Sequence, residues 1–175
     1  TKTAMGARLL RSFVEHPLLD VKKISMRQSA IAELVSNFVL KEELCSLLSD
    51  VLDLERLMTK VVYGSANAKD LLNLSFTAQK FPVLKGLLAN ASCRMLKEIY
   101  NEIDTLQDIA ALIDEAINPE APTSVREGNL IKDGYSELVD TLRHDMNAGT
   151  GVLAEIEARE KERTGIKNLR VRYNK

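Results

Sequence analysis

Tryptophan is absent from this chain of 175 residues, aromatic side chains make up only 5% of it, and it holds just two histidines and two cysteines. With so few aromatics, the apolar fraction is mostly Leu, Ile, Val and Ala, a set suited to helix packing, so an all-α fold is the first expectation. Cys45 lies among Leu44, Leu47 and Leu48, and Cys93 lies close to Met95 and Leu96. Both read as buried thiols in a reducing cytosol rather than as a disulfide. No run of 18 apolar residues occurs, which leaves no candidate transmembrane helix. The N-terminus also lacks the basic-then-apolar pattern of a secretion signal. A soluble, cytoplasmic protein with no membrane partner is expected. There is no G-x-x-x-x-G-K-S/T segment, hence no cradle for nucleotide phosphates. Fixed-period repeats and low-complexity tracts are missing too.

Charge is scarce only in the net. The total of −1 gives no reason to expect a nucleic-acid partner, but it hides an asymmetry. Residues 159–175 carry seven cations, Arg159, Lys161, Arg163, Lys167, Arg170, Arg172 and Lys175, against Glu160 and Glu162. Of the 24 cations and 25 carboxylates in the chain, the other 158 residues therefore hold 17 and 23. An acidic body with a basic end is the distribution expected of a scaffold that presents a phosphate-binding tip.

Apolar periodicity and breakers divide the chain into helical runs. The first spans Thr3 to about Glu15 with Met5, Leu9, Leu10 and Phe13 on one stripe, and it should stop at His16-Pro17, because the residue before proline is pushed out of the α region. Asp20 caps a run to about Asn37, carrying Ile24, Ile31, Leu34 and Val35. A third run is expected from Lys41 towards Tyr63, stopped by Gly64-Ser65. A fourth opens at Asn67 or Asp70, continues to Lys80 and is broken at Phe81-Pro82, leaving Val83 to Leu88 too short to stand alone. Ser92 is the expected cap of the next run, and Leu106 to Ile117 forms another, followed by a loop over 118–124. Ser136 and Glu137 open the longest pattern, which reaches about Arg163 and would span about 40 Å at 1.5 Å per residue. Such a helix exceeds the needs of a compact body, so its far end is expected to project. Gly149 and Gly151 interrupt it at about 1 kcal/mol each relative to Ala and are the expected hinge. Leu169 to Tyr173 alternates apolar and basic residues, which is a strand period, and an unpaired strand needs a partner from outside this chain.

Five segments together resemble the MutS family of DNA mismatch repair proteins. Thr3-Ala4-Met5-Gly6-Ala7-Arg8-Leu9-Leu10-Arg11 with Pro17-Leu18 is similar to the family's T-x-M-G-x-R-L-L-R and x-P-L opening, with Phe13 where the family usually places Trp. Asp53 to Leu57 resembles its D-L-E-R-L helix, and Asp70-Leu71 the D-L that follows. Ile131 to Asp140 is similar to its I-x-x-G-Y-x-x-E-L-D segment. Glu157 to Ile166, continued by Leu169-Arg170-Val171 and Tyr173-Asn174, looks like the family's E-x-x-E-R-x-x-T-G-I and L-K-V-x-Y-N. The resemblance implies a helical core over residues 1–128. Residues 129–175 would then be a long lever helix leading into the first part of a DNA clamp with a short C-terminal strand. It implies a parent that is a homodimeric ATPase using ATP and Mg, whose mismatch-reading and ATPase domains lie outside this chain and are coupled through these helices. The chain itself is expected to be no enzyme and to hold no cofactor.

The candidate DNA contacts are Lys161, Arg163, Lys167, Arg170, Arg172 and Lys175, because Lys and Arg neutralise phosphates and release counterions whatever the base sequence. On an alternating strand Arg170 and Arg172 share one face. The bland counterpart is a solvated charged helix, for which Glu157 and Lys161 make an i,i+4 pair. Phe13-Val14-Glu15 resembles a mismatch-wedging string but sits on an apolar stripe and is read as core. Asp50, Asp53 and Glu55 lack a His or Cys partner for a transition metal and do not share one face, so salt bridging, with Arg56 as the obvious partner, is expected instead of metal or acid–base chemistry. His16 and His144 lie far apart without an adjacent nucleophile and are read as surface or boundary residues. A rival reading, a helical protein interaction module without a nucleic-acid role, rests on the stripe Leu138, Leu142, Met146, Val152, Leu153 and Ile156.

Overall fold

The computed structural model describes residues 1–166 and 168–170, with Thr150 described by its backbone alone. All regular structure among these residues is helical, and none of it is strand. The chain forms two compact units, Thr1–Leu130 and Ile131–Lys175, each with its own internal packing.

In the first unit, short polar caps set the helix starts. Thr3 accepts from the Gly6 amide at 2.9 Å to open α1 (Ala4–Glu15), and Asp20 accepts from the Lys22 amide at 2.8 Å to open α2 (Val21–Ser36). Asn37 closes α2 and opens α3 (Phe38–Ser49), its side chain accepting from the Leu40 amide. Each such cap satisfies one donor that the first turn leaves free, worth about 1 kcal/mol. The single run expected over Lys41–Tyr63 is in fact two helices. α3 ends at Ser49, Asp53 accepts from the Arg56 amide, and a new helix, α4 (Leu54–Val62), begins there. The leucine stripe is continuous enough to disguise the break, whereas the Asp50-to-Asp53 segment supplies turn and cap chemistry that halts the helix.

α5 (Ala68–Ala78) starts with a reciprocal cap, in which the Asp70 amide donates to Asn67 and the Asn67 amide donates to the Asp70 carboxylate. The run from Asn67 does break before Phe81-Pro82, ending at Ala78, and Phe81 also begins a new helix, α6 (Phe81–Leu88), with Pro82 in its first turn, where its missing N–H costs nothing. Ser92 does not cap α7 (Arg94–Glu102). Instead Glu33 on α2 accepts from the Ser92 and Cys93 amides, both at 2.6 Å. α8 (Gln107–Ala116) follows Leu106, which takes a left-handed conformation (φ 50°) with its amide donating to Asp104.

Two packed regions result. Ala30, Leu44, Leu88, Ala91 and Leu96 are buried together, joining α2, α3, α6 and α7, with Leu34, Leu84 and Ile99 packed around them. Each buried leucine stabilises by roughly 1.5–3 kcal/mol relative to exposure. The most extensive helix pairing is α5 with α8. Small residues allow it: Ala78, Ala110 and Ala116 are buried, as are Ser75 and Thr77. The Ser75 hydroxyl donates to Asp114 at 2.6 Å, and the Gln79 amide donates to the same carboxylate at 2.6 Å, so the polar groups enclosed by the pairing are satisfied. Cys45 and Cys93 are both free thiols and only half-buried, which corrects the expectation of buried ones. Phe13 is also half-buried rather than core, with the Arg27 guanidinium 3.5 Å above its ring.

In the second unit, α9 (Glu137–Thr164) runs 28 residues, helical through Gly149, Thr150 and Gly151. Its base is tied down by Arg143, which donates to the Ile131 carbonyl at 3.0 Å and pairs with Asp133, while the Gly134 amide donates to Asp140 at 2.9 Å. Gly134 needs its φ of +83° to make that turn. None of the α9 residues whose side chains are described is buried. Leu169 and Arg170 are not in a strand, and the rest of the expected strand, from Val171 onward, lies outside the described residues.

Candidate nucleic-acid interface

The last turns of α9 present Lys161 and Arg163, and the helix ends on Gly165, whose φ of +71° lets its amide donate to the Lys161 carbonyl at 2.9 Å and redirects the chain. Lys161 is paired with Glu157 at 2.5 Å, one helical turn back, and Arg163 with Glu160 at 2.8 Å. Cations at a helix C-terminus also meet the negative end of the backbone dipole. Arg163 is exposed and Lys161 half-buried, so both pairs are of the surface type worth about 0–1 kcal/mol.

This pairing relocates the positive charge. Within 159–164 three cations face two carboxylates, and Glu155 and Glu157 stand just before them, so the distal part of α9 is close to neutral. The excess belongs to 165–175, where Lys167, Arg170, Arg172 and Lys175 have no acidic neighbour in the sequence. Arg170 is exposed and makes no ion pair among the described residues. Lys167, Arg172 and Lys175 lie outside the described residues, so of the six predicted contacts the structure describes Lys161, Arg163 and Arg170. Glycines 149 and 151 are set in open space, where an added Cβ would meet nothing within 4 Å, so packing does not account for them.

The carboxylates of the DLER segment are engaged as well. Arg8 on α1 donates to both oxygens of Asp53, at 2.6 and 2.9 Å, and to Glu55. Arg56, the partner expected from sequence, is secondary, at 3.3 Å from Asp53, and Lys80 takes Asp50 at 3.3 Å. The Arg8 hydrogen bonds hold the Asp53 carboxyl below the usual range and raise the Arg8 guanidinium. Lys60 holds Asp70 down through a 2.7 Å bond, and the Ser92 and Cys93 amides do the same for Glu33. Burial pushes the Cys93 thiol up, with adjacent Glu33 adding to the effect. Among the described residues no group of three or more His, Cys, Asp or Glu side chains is arranged to hold a metal. Among them, too, no helix is long and apolar enough to cross a membrane.

Two of the motif segments of the first unit thus meet in space, Arg8 of the opening segment with Asp53 and Glu55 of the next. The family model described as MutS domain III matches residues 1–174. The chain belongs to the MutS family. A protein of Lachnoclostridium phytofermentans named DNA mismatch repair protein MutS is 49% identical over 175 residues, which is all of this chain and 19% of that protein. Proteins of the same name from Caldanaerobacter subterraneus subsp. tengcongensis and Clostridium novyi are 46% and 43% identical over the whole chain, covering 20% and 19% of their own lengths. This MutS segment therefore spans about a fifth of the curated relatives it matches.

Sequence reasoning missed two residues that organise this MutS domain. Arg8 reads in the sequence only as part of a motif, although an arginine on an otherwise apolar stripe flank is a candidate counter-ion for a distant acidic cluster. Glu33 gives no local signal, because its partners are 59 and 60 residues away.

Proposed function

We propose that this chain is the part of a DNA mismatch repair protein that grips duplex DNA through the phosphate backbone and relays conformational change between mismatch-recognition and ATPase domains carried elsewhere in the parent. Residues 1–128 serve as the helical core, and 129–175 as the lever helix leading into the clamp. The parent is a cytoplasmic homodimer that uses ATP and Mg, while this segment performs no catalysis of its own. The observation that carries the DNA reading is the run of four cations after Gly165 with no carboxylate among them, set just past a helix end whose own cations are balanced by Glu157 and Glu160. Such a run neutralises phosphates without reading bases. Gly149 and Gly151 supply the compliance of the lever, since neither is required by packing.

The test is binding of a fluorescent duplex by the full-length parent across a salt series. Arg170→Glu with Arg172→Glu is expected to weaken binding by about tenfold or more and to flatten the salt dependence by about two counterions. Unchanged affinity and slope would sink the clamp reading.

The rival reading is a protein interaction surface on α9, favoured by Leu138, Leu142 and Met146, which are 69%, 60% and 68% exposed on successive turns. Self-association or partner binding abolished by Leu142→Lys, with DNA affinity intact, would favour it.

A further inference from the structure

Between α2 and α7, which pack against each other, two adjoining hollows of about 350 and 510 Å³ share Met26 and Met95 on their walls and so form one groove. Its floor is apolar, formed by the half-buried Met26, Met95 and Leu18, and Val21, 73% exposed, adds an apolar residue at its margin. Methionine side chains adapt to irregular apolar partners better than branched ones do. The rim is basic, formed by Lys22, Lys23, Arg27 and Arg94. Glu98 is the one carboxylate on these walls, and Arg94 already holds it at 2.7 Å. Lys22 and Lys23 are exposed and make no ion pair among the described residues. An occupant must therefore bring apolar side chains to the floor and carboxylates to the rim.

We propose that the α2–α7 groove is a docking site for an acidic, apolar segment from another part of the same polypeptide, with apolar side chains on Met26 and Met95 and carboxylates on Lys22, Lys23 and Arg27. The proposal rests on the reading that this chain works with further domains of its parent. The matched relatives are about five times as long as this chain, and a tethered segment is held at a high effective concentration that an unlinked partner lacks. Docking there ties α2 to the rest of the parent and places a load on the same helix that, through Glu33, caps α7.

The test uses purified full-length parent with p-benzoylphenylalanine in place of Ser29, an exposed residue of the groove wall. Irradiation is expected to capture a peptide of the parent from outside these 175 residues that holds more Asp and Glu than Lys and Arg. Lys22→Glu with Lys23→Glu is expected to lower the yield roughly fivefold at low salt, and less at high salt. Should that variant misfold, Lys22→Gln with Lys23→Gln is expected to lower the yield in the same direction. Capture of a basic segment, capture of nothing, or a yield indifferent to the rim charges overturns the proposal. The same photoprobe in place of Leu142 separates the two readings. Capture within the parent at Leu142 but not at Ser29 removes the groove alone, and capture at neither position removes the shared-domain reading with it.

Discussion

α5 and α9 are both regular helices, yet six of the 11 residues of α5 are buried and none of the described side chains among the 28 residues of α9 is. α5 is packed from two directions, against α4 and α8, and its small and polar residues are satisfied inside that packing. α9 relies on its own ladder, on i,i+3 and i,i+4 ion pairs, and on the Arg143 tie at its base. Tertiary burial stabilises the first helix, whereas local terms worth a few tenths of a kcal/mol each stabilise the second. A helix of the second kind is suited to bear load and to respond to a partner, because little of its energy depends on fixed neighbours.

The largest test of that contrast is a pair of truncations. Leu74→Ala, at a 6% exposed position on α5, is expected to cost about 2–5 kcal/mol in urea denaturation, and Leu142→Ala on α9 no more than about 0.5 kcal/mol. Equal costs would mean that α9 depends on packing no less than α5 does.

Acid should separate the units next. Glu33, Asp53 and Asp70, all within 1–130, have folded-state pKa values depressed by their hydrogen-bonded partners. The unfolded chain then binds more protons than the folded one between the folded values and about 4, so this stability is present above about pH 4 and is lost as the pH falls through the depressed values. Glu33→Gln is expected to reduce the acid sensitivity of thermal melting, read by circular dichroism between about pH 5 and pH 2. An unaltered profile would deny the cap on α7 its role.

Glycine substitutions have opposite signs at the two places where they matter. Gly165→Ala is expected to destabilise by about 1–2 kcal/mol, because a side chain disfavours φ +71°. Gly149→Ala with Gly151→Ala is expected to raise α9 stability by about 0.5–1 kcal/mol per site, since both are helical and open. Hydrogen exchange along α9 reads both. If the pair leaves ATP-dependent release from DNA by the full-length parent unaltered, the compliance proposed at these glycines is not used.

Much of the helical layout was legible because its signals are local. Asp20 and Asn67 name their helix starts by side-chain chemistry, and Pro17 marks an end by steric limits on φ and ψ. The misreadings share one cause. The leucine stripe across Asp50–Asp53 and the apparent cap at Ser92 each admit two local outcomes. Contacts from elsewhere chose between them: Thr77 accepting from the Leu52 amide at 3.4 Å, Lys80 pairing with Asp50, and Glu33 on Ser92. Of the candidate interface, the cations themselves were readable by counting. Their pairing with Glu157 and Glu160 was half readable, since helical spacing brings both carboxylates within reach of Lys161 and Arg163.

Sequence alone determined the helical class, the family pattern and the concentration of positive charge in residues 159–175, because composition, periodicity and spacing carry each of these without reference to distant residues. Only the tertiary structure decided that Arg8 would neutralise Asp53 and Glu55, that a carboxylate from α2 would cap α7, and that Met26 and Met95 would line a basic-rimmed groove. Each of these joins residues tens of positions apart, and no local energy term connects them until packing has brought them together.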